Sequence, residues 1–448
     1  MIQLAARRRP FLQHYFCIHG GTPLAGTVTV SGSKNASLPI LAASLAIDGC
    51  SIIRNLPALL DVRTMLLLLQ STGGQILQPD DSSSQPSCIP RCVRVLPPTS
   101  APAPANESLV RRMRAGICLL GPLLAKFGAA TIPLPGGCRI GPRPIDLHLR
   151  GLAALGANLH VTDGWVHAHA DRLNATDLDL AGPAGPTVTG TCNVLSAAVL
   201  AHGTTIIRNA AQEPEVSELA RFLNAAGARI EFPEPGILEI HGVEQLTAPD
   251  HTVFPDRIEA ATLAIAAAAT HGDIRISNAP VDHLQAFLEW ISDVGVHISH
   301  SAEGLRIECP GPIRPKNVTA EPYPGIPTDL QAQMTALLSI APGTSTVTDR
   351  VFPERFQHIH ELNRLGGSIA CENGTASIHG VSRLHGGTVR ATDLRASAAL
   401  VIAALAAHGT TEIHEIQHLD RGYEQMDIKL QQLGASIQRR VSESFVRT

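Results

Sequence analysis

The sequence predicts an α/β protein of two domains, each built from three copies of one unit whose apolar helix lies buried inside. Three observations carry this. A run of small and aliphatic residues closing on a glycine recurs six times, over 36–49, 115–128, 194–203, 260–272, 332–343 and 396–409. A short stretch with strand character follows each glycine, for example Thr204-Thr205-Ile206-Ile207 and Thr410-Thr411-Glu412-Ile413. The 448 residues are 44% hydrophobic but only 3% aromatic, so the cores must come from Ala, Leu, Val and Ile.

Each first helix is apolar all round and therefore buried, whereas the more polar stretch after it is amphipathic and faces solvent. Those second helices end at Gly73, Gly227, Gly295, Gly366 and Gly434, where glycine suits the left-handed position after a helix. The second unit instead inserts a Gly/Pro-rich loop before a helix ending at Gly156. Units of this length are too long and too few for an open solenoid. Two domains of three follow, with the cleft between them as the ligand site. The longest apolar run, 396–407, falls short of the roughly 18 residues of a membrane span and reads as a buried helix. Residues 78–106 hold Asp80-Asp81-Ser82-Ser83-Ser84 and four prolines between Pro97 and Pro104, the composition of a low-order surface insert.

A net charge of −4 gives no reason to expect nucleic acid or an anionic membrane as partner. Nine cysteines, an odd number without framework spacing, fit a reducing cytoplasm. Cys88 and Cys92 form the one close pair, with no histidine beside them to complete a metal set. The start carries Arg7, Arg8 and Arg9 but no apolar stretch of a secretory signal, and residues 1–11 read as a disordered extension.

The chemistry centres on Gly136-Gly137-Cys138-Arg139-Ile140-Gly141-Pro142-Arg143-Pro144-Ile145-Asp146. Neighbouring guanidinium groups favour the thiolate, so Cys138 reads as proton donor, nucleophile or both rather than an inert core thiol. Ser33-Lys34-Asn35 opens a helix after a strand, the setting of an anion site, although a lone lysine there is often only solvated. Asp393-Leu394-Arg395 and Asp420-Arg421 read either as surface ion pairs or as site cations. Asp329, in Pro327-Thr328-Asp329-Leu330-Gln331, reads either as a helix cap or as a general base.

Taken in order, these motifs resemble the enolpyruvyl transferases over about residues 18 to 440. The cysteine loop resembles the branch that uses UDP-N-acetylglucosamine as acceptor, since the sister enzymes of shikimate chemistry lack it. The resemblance implies two inside-out α/β barrel-like domains of three units each. The first strand joins the C-terminal domain before the chain crosses over. The domains are then 12–32 with 254–440, and 33–253 carrying the Cys138 loop.

It also implies a reaction in which the sugar 3-hydroxyl adds to C2 of phosphoenolpyruvate and phosphate leaves. By similarity Cys138 protonates C3 and can form an adduct at C2, while Asp329 takes the hydroxyl proton. Lys34, Arg114, Arg143, Arg395 and Arg421 match the cations that hold the phosphate and carboxylate. Asn35 matches a sugar-nucleotide contact. Arg143-Pro144-Ile145-Asp146-Leu147, Thr187-Val188-Thr189-Gly190-Thr191, Asp329 and Val351 match the remaining nucleotide and sugar contacts. Arg355 and Asp393 match charged residues of the cleft. No metal or organic cofactor is implied. The chain departs from the family pattern at Gly116, where serine is usual, and at Cys192, where an acid is common. Because closure gathers like charges, the cleft is expected to shut only around anionic ligands. The competing readings are a transferase with another acceptor and an inactive binding paralogue.

Overall fold

Among the described residues six buried helices form the interior, wrapped by six sheets of three or four strands, with a further two-stranded ribbon pairing Ala181–Gly182 with Gly185–Pro186. A computed structural model describes residues 11–77, 91–137, 140–141, 143–183 and 185–444. The buried helices are Lys34–Ala43, Leu120–Phe127, Val188–Ala198, Arg257–Ala269, Gln331–Leu338 and Leu394–Ala406. Their sequences explain their place. Arg257–Ala269 is alanine-rich, the residue that loses least on entering a helix, and all of it is buried. Asp256 caps it by accepting from the amides of Ile258 and Glu259. The helices Leu60–Ser71, Pro214–Ala225 and Gln285–Asp293 bury one face only, as their mixed sequences require.

The glycines after the helices sit in the left-handed region with one exception. At the fourth unit His271 takes positive φ instead, and Gly272 is needed for a close approach: a Cβ there would lie 2.4 Å from the Leu24 carbonyl oxygen.

Four sheets share one plan, and a fifth follows it with Phe11–His19 in the inner place. In the four, the strand after the buried helix pairs in parallel with an edge strand and antiparallel with the inner strand of a hairpin. Thr204–Arg208 does so with Asp177–Asp179 and Leu238–His241. Gly343–Asp349 does so with Val318–Ala320 and Thr375–Gly380. The second unit has three described strands, all antiparallel. The start of the chain fills two gaps in the last three units. Phe11–His19 lies between Thr410–His414 and Ser436–Ser444, and Ala25–Thr29 runs parallel to Asp273–Ser277. Among the described residues these are separate sheets, not a closed barrel.

There are two cores. One runs from Ala36 to Phe254; the other joins Phe16–Val30 to residues 258–437. Phe254 packs with the first core, and pairing of the last strand continues to Ser444, four residues past the expected boundary.

The expected insert is corrected. Residues 79–89 lie within a segment outside the described residues, as do residues 1–10. Cys92–Leu96, however, is a strand held between Ser51–Arg54 and Gln75–Leu77, with Val93 and Val95 fully buried. Its period-2 alternation was hidden by the prolines and serines on either side. Asn106 then caps the short helix Glu107–Val110. No described helix is long and apolar enough to cross a membrane.

Candidate active site

All six buried helices begin at one cavity of about 410 Å³ between the two cores. Lys34 and Asn35 reach it from the first helix, and Arg114 from the turn Arg114–Leu119 that leads into the second. Thr187, Val188 and Thr189 open the third, and Arg257 the fourth. Thr328 and Asp329 precede the fifth, and Leu394 and Arg395 open the sixth. A helix N-terminus carries partial positive charge and unpaired amides. Six of them, joined by Arg143, Arg355 and Arg421, make a cavity built for a ligand with several negative charges.

The carboxylates that face these cations hold them in place. Asp329 accepts from Arg355 at 2.9 Å and Arg395 at 2.5 Å, and from the Asn35 amide at 3.5 Å. It does not cap its helix; that turn has no side-chain cap, and Thr328 donates instead to Asp349 at 2.6 Å. The cap reading of Asp329 is therefore replaced. Burial opposes its ionisation, yet Arg395, Arg355 and Lys34 outweigh it and hold the carboxyl well below the usual carboxylate range. Asp61 pairs with Arg421 at 2.9 Å and with Lys34 at 3.5 Å. Glu215 pairs with Arg257 at 3.0 Å, both buried. Asp61 and Asn35 pack with the first core side of the cleft, whereas Arg421 and Asp329 come from the second. The chain's own carboxylates thus offset part of the repulsion between the gathered cations.

Arg114 and Arg143 are arranged differently. Arg114 donates to the Pro144 carbonyl at 2.7 Å, and the Arg143 guanidinium lies 5.5 Å from the Phe352 ring centre, across the cleft. Burial and the nearby Arg143 push Arg114 down to about 10.

Cys138, with Arg139 and Pro142, lies outside the described residues. The chain around it is placed. Gly137 has φ +119°, and a Cβ there would meet the Arg114 backbone nitrogen at 3.2 Å, so only glycine suits this position. Ile140 lines the cavity, and Gly141 faces Glu354 of the second core side. Pro144, Asp146, Leu147 and Val351 line the cavity with the cations already described.

Four expected site residues do not line it. Ile145 precedes the helix Asp146–Ala154, and Gly190 lies within the first turn of Val188–Ala198. Thr191 is buried, its hydroxyl accepting from the Ala211 amide at 3.1 Å. Asp393 is a buried cap that accepts from the amides of Arg395 and Ala396, so it sets the helix that carries Arg395.

Sequence reasoning missed Asp61, Glu213, Glu215, Arg257, Tyr323 and Phe352, all of which line the cavity. The signal for Arg257 was the repeat itself: like Lys34 and Arg395 it stands at the start of an all-apolar helix. Cys192 and Cys118 also line the cavity, but burial pushes the Cys118 thiol up to about 12 and the Cys192 thiol well above its ordinary value. Among the described residues, no three His, Cys, Asp or Glu side chains are grouped as metal ligands.

Repeated units turned inside out, and helix starts converging on a cationic interdomain cavity, define an enolpyruvyl-transferase-type protein. The family described as EPSP synthase (3-phosphoshikimate 1-carboxyvinyltransferase) matches residues 18–430, and the chain belongs to it. More narrowly, it is 47% identical over 424 residues to the UDP-N-acetylglucosamine 1-carboxyvinyltransferase of Methylacidiphilum infernorum, covering 95% of this chain and 98% of that one. It is 46% identical to the protein of the same name from Myxococcus xanthus, covering 94% and 98%. Among solved structures it resembles the enolpyruvyl transferase NikO from Streptomyces tendae, with TM-score 0.85, 26% identity and coverage of 96% and 99%. An EPSP synthase from Acinetobacter baumannii shares the fold, with TM-score 0.71, 18% identity and coverage of 96% and 100%.

Proposed function

We infer that this chain is an enzyme that transfers the enolpyruvyl group of phosphoenolpyruvate to the 3-hydroxyl of UDP-N-acetylglucosamine, releasing phosphate. This is the first committed step of peptidoglycan synthesis. The observation that supports it best is the convergence of six helix N-termini and seven lysine or arginine side chains on one cavity. Both substrates are polyanions, and the leaving group is a phosphate whose developing charge needs fixed cations.

In the reaction a proton adds to C3 of phosphoenolpyruvate, the sugar oxygen bonds to C2, and the hydroxyl proton passes to a base. Loss of a C3 proton with departure of phosphate restores the vinyl group. Cys138 is the proposed proton donor at C3, and Asp329 the base at the sugar hydroxyl. Two guanidinium groups make Asp329 a weak base. The phosphate and carboxylate of phosphoenolpyruvate compete for those same cations, so binding the second substrate strengthens the base when it is needed. Lys34, Arg114, Arg143, Arg395 and Arg421 are the proposed anion contacts, and Asn35, Asp146, Leu147, Val188 and Val351 contacts of the sugar nucleotide. We place the enzyme in the cytoplasm, where its cysteines stay reduced. Phosphate release from phosphoenolpyruvate, measured with and without UDP-N-acetylglucosamine, tests the reading. Release dependent on that sugar nucleotide supports it; release with another acceptor, or none, overturns it.

A further inference from the structure

A buried polar chain behind Thr189, one of the expected sugar-nucleotide contacts, has not been given a role above. Asn193, fully buried in Val188–Ala198, accepts from the Gly121 amide at 2.6 Å and donates to the Ile117 carbonyl at 3.2 Å. A backbone donor on one side and a backbone acceptor on the other leave its side-chain amide a single orientation. Its nitrogen therefore also donates to Nδ1 of His148, 3.1 Å away. His148, on Asp146–Ala154, is itself only 1% exposed. With Nδ1 an acceptor, the neutral ring carries its proton on Nε2. That N–H meets the Thr189 hydroxyl oxygen at 3.2 Å. Arg114 and Arg143 act with burial to keep the ring neutral, pushing it down to about 3.

The direction of every hydrogen in this chain is thus set by two backbone groups. Having accepted from His148, the Thr189 hydroxyl must point its own hydrogen elsewhere. Thr189 lines the cavity in the first turn of an eleven-residue helix, and among the described residues no acceptor is bonded to that hydrogen. The amides of Val188 and Thr189 precede the helix's first internal bonds, and Arg114 and Arg143 stand on the same wall.

We propose that His148 is a positioning residue that presents the Thr189 hydroxyl as a hydrogen-bond donor to a diphosphate oxygen of the bound sugar nucleotide. The proposal rests on the assignment of the cleft to UDP-N-acetylglucosamine. A diphosphate offers only acceptors, so a hydroxyl whose donor role is decided in advance favours it over a ligand presenting an N–H or O–H at the same place.

Steady-state kinetics and calorimetric binding of UDP-N-acetylglucosamine to the full-length enzyme test this. Thr189→Val keeps the shape and removes the donor. It should raise KM and Kd for the sugar nucleotide about tenfold, the effect of one hydrogen bond to a charged group. KM for phosphoenolpyruvate should move less than twofold (about 0.4 kcal/mol). His148→Leu should reproduce that split, and His148→Gln, with an acceptor and a donor similarly spaced, should restore most of it. In the Thr189→Val background, His148→Leu should add almost nothing, because both changes remove the same donor. Additive effects, an equal change for both substrates, or an unaffected Thr189→Val enzyme would overturn the proposal. Should His148→Leu fail to fold, Thr189→Val against Thr189→Ser still tests the hydroxyl donor itself. The ¹⁵N shifts of His148 decide the relay, since a proton on Nδ1 refutes it. A wild-type enzyme that binds no UDP-N-acetylglucosamine would instead sink the functional assignment.

Discussion

The two sides of the cleft hold their arginines in different ways. On the second side, Arg355 and Arg395 close on Asp329, and Arg421 closes on Asp61 from across the cleft. On the first side Arg114 sits near Arg143 and donates to the Pro144 carbonyl. The difference separates two tasks. Paired cations are positioned before the substrate arrives and can exchange a carboxylate for a phosphate at little cost. Burial and a neighbouring guanidinium lower Arg114, so an anion bound beside it relieves a like-charge contact.

The largest effects should come from the two groups that move protons. Cys138→Ser and Asp329→Asn should each lower kcat by about a thousandfold, the usual worth of a placed acid or base. Stopped assays of phosphate release would show whether the loss falls on kcat rather than on KM. The thiols also separate the two readings of the loop: an epoxide of the fosfomycin type should label Cys138 alone. Cys118 and Cys192 line the same cavity but are held protonated by burial, so peptide mapping that finds adducts there would contradict this contrast.

Acid should act on both sides through one buried histidine each. Burial lowers His148 to about 3 and His358 to about 4, from an ordinary 6.5. Their neutral forms cost nothing above pH 6.5, and stability falls as the pH drops from there towards those values, because the unfolded chain binds the protons. Each contributes about 1.4 kcal/mol per pH unit in that window. Denaturant melts between pH 6 and 4 should therefore be less steep in pH for His148→Gln than for the parent; an unchanged slope would show that the ring titrates normally.

A smaller change is expected at Asp61. Asp61→Asn leaves Lys34 and Arg421 without their shared carboxylate, so both should lose position, and KM for phosphoenolpyruvate should rise about tenfold. A fall in KM would mean that Asp61 competes with substrate rather than organising its site. The smallest effect has the opposite sign for stability. Arg114→Gln relieves a half-buried like-charge contact and should raise Tm by a few degrees while weakening binding of both anions. A lower Tm would remove the distinction between the two sides.

Much of this was legible in the residues. The six apolar runs ending at glycine mark six buried helices, because a helix without a polar face has no solvent side. The charged or capping residues at their starts, Lys34, Asp329 and Arg395 among them, were visible as motifs. The strand Cys92–Leu96 was not, since five alternating residues carry little weight against surrounding proline and serine. Asp61 was not either: one acid in the first turn of an amphipathic helix looks like an ordinary favourable end charge.

Local chemistry therefore decided the elements, their burial and the types of side chain available to the site. Periodicity and caps act over a few residues and need no knowledge of the rest of the chain. Which carboxylate meets which cation was decided only in three dimensions. Asp61 and Arg421 are 360 residues apart, and Asn35 and Asp329 are 294 apart. Such pairs form because packing two cores of three units brings all six helix starts to one cavity, and no spacing in the sequence encodes that convergence.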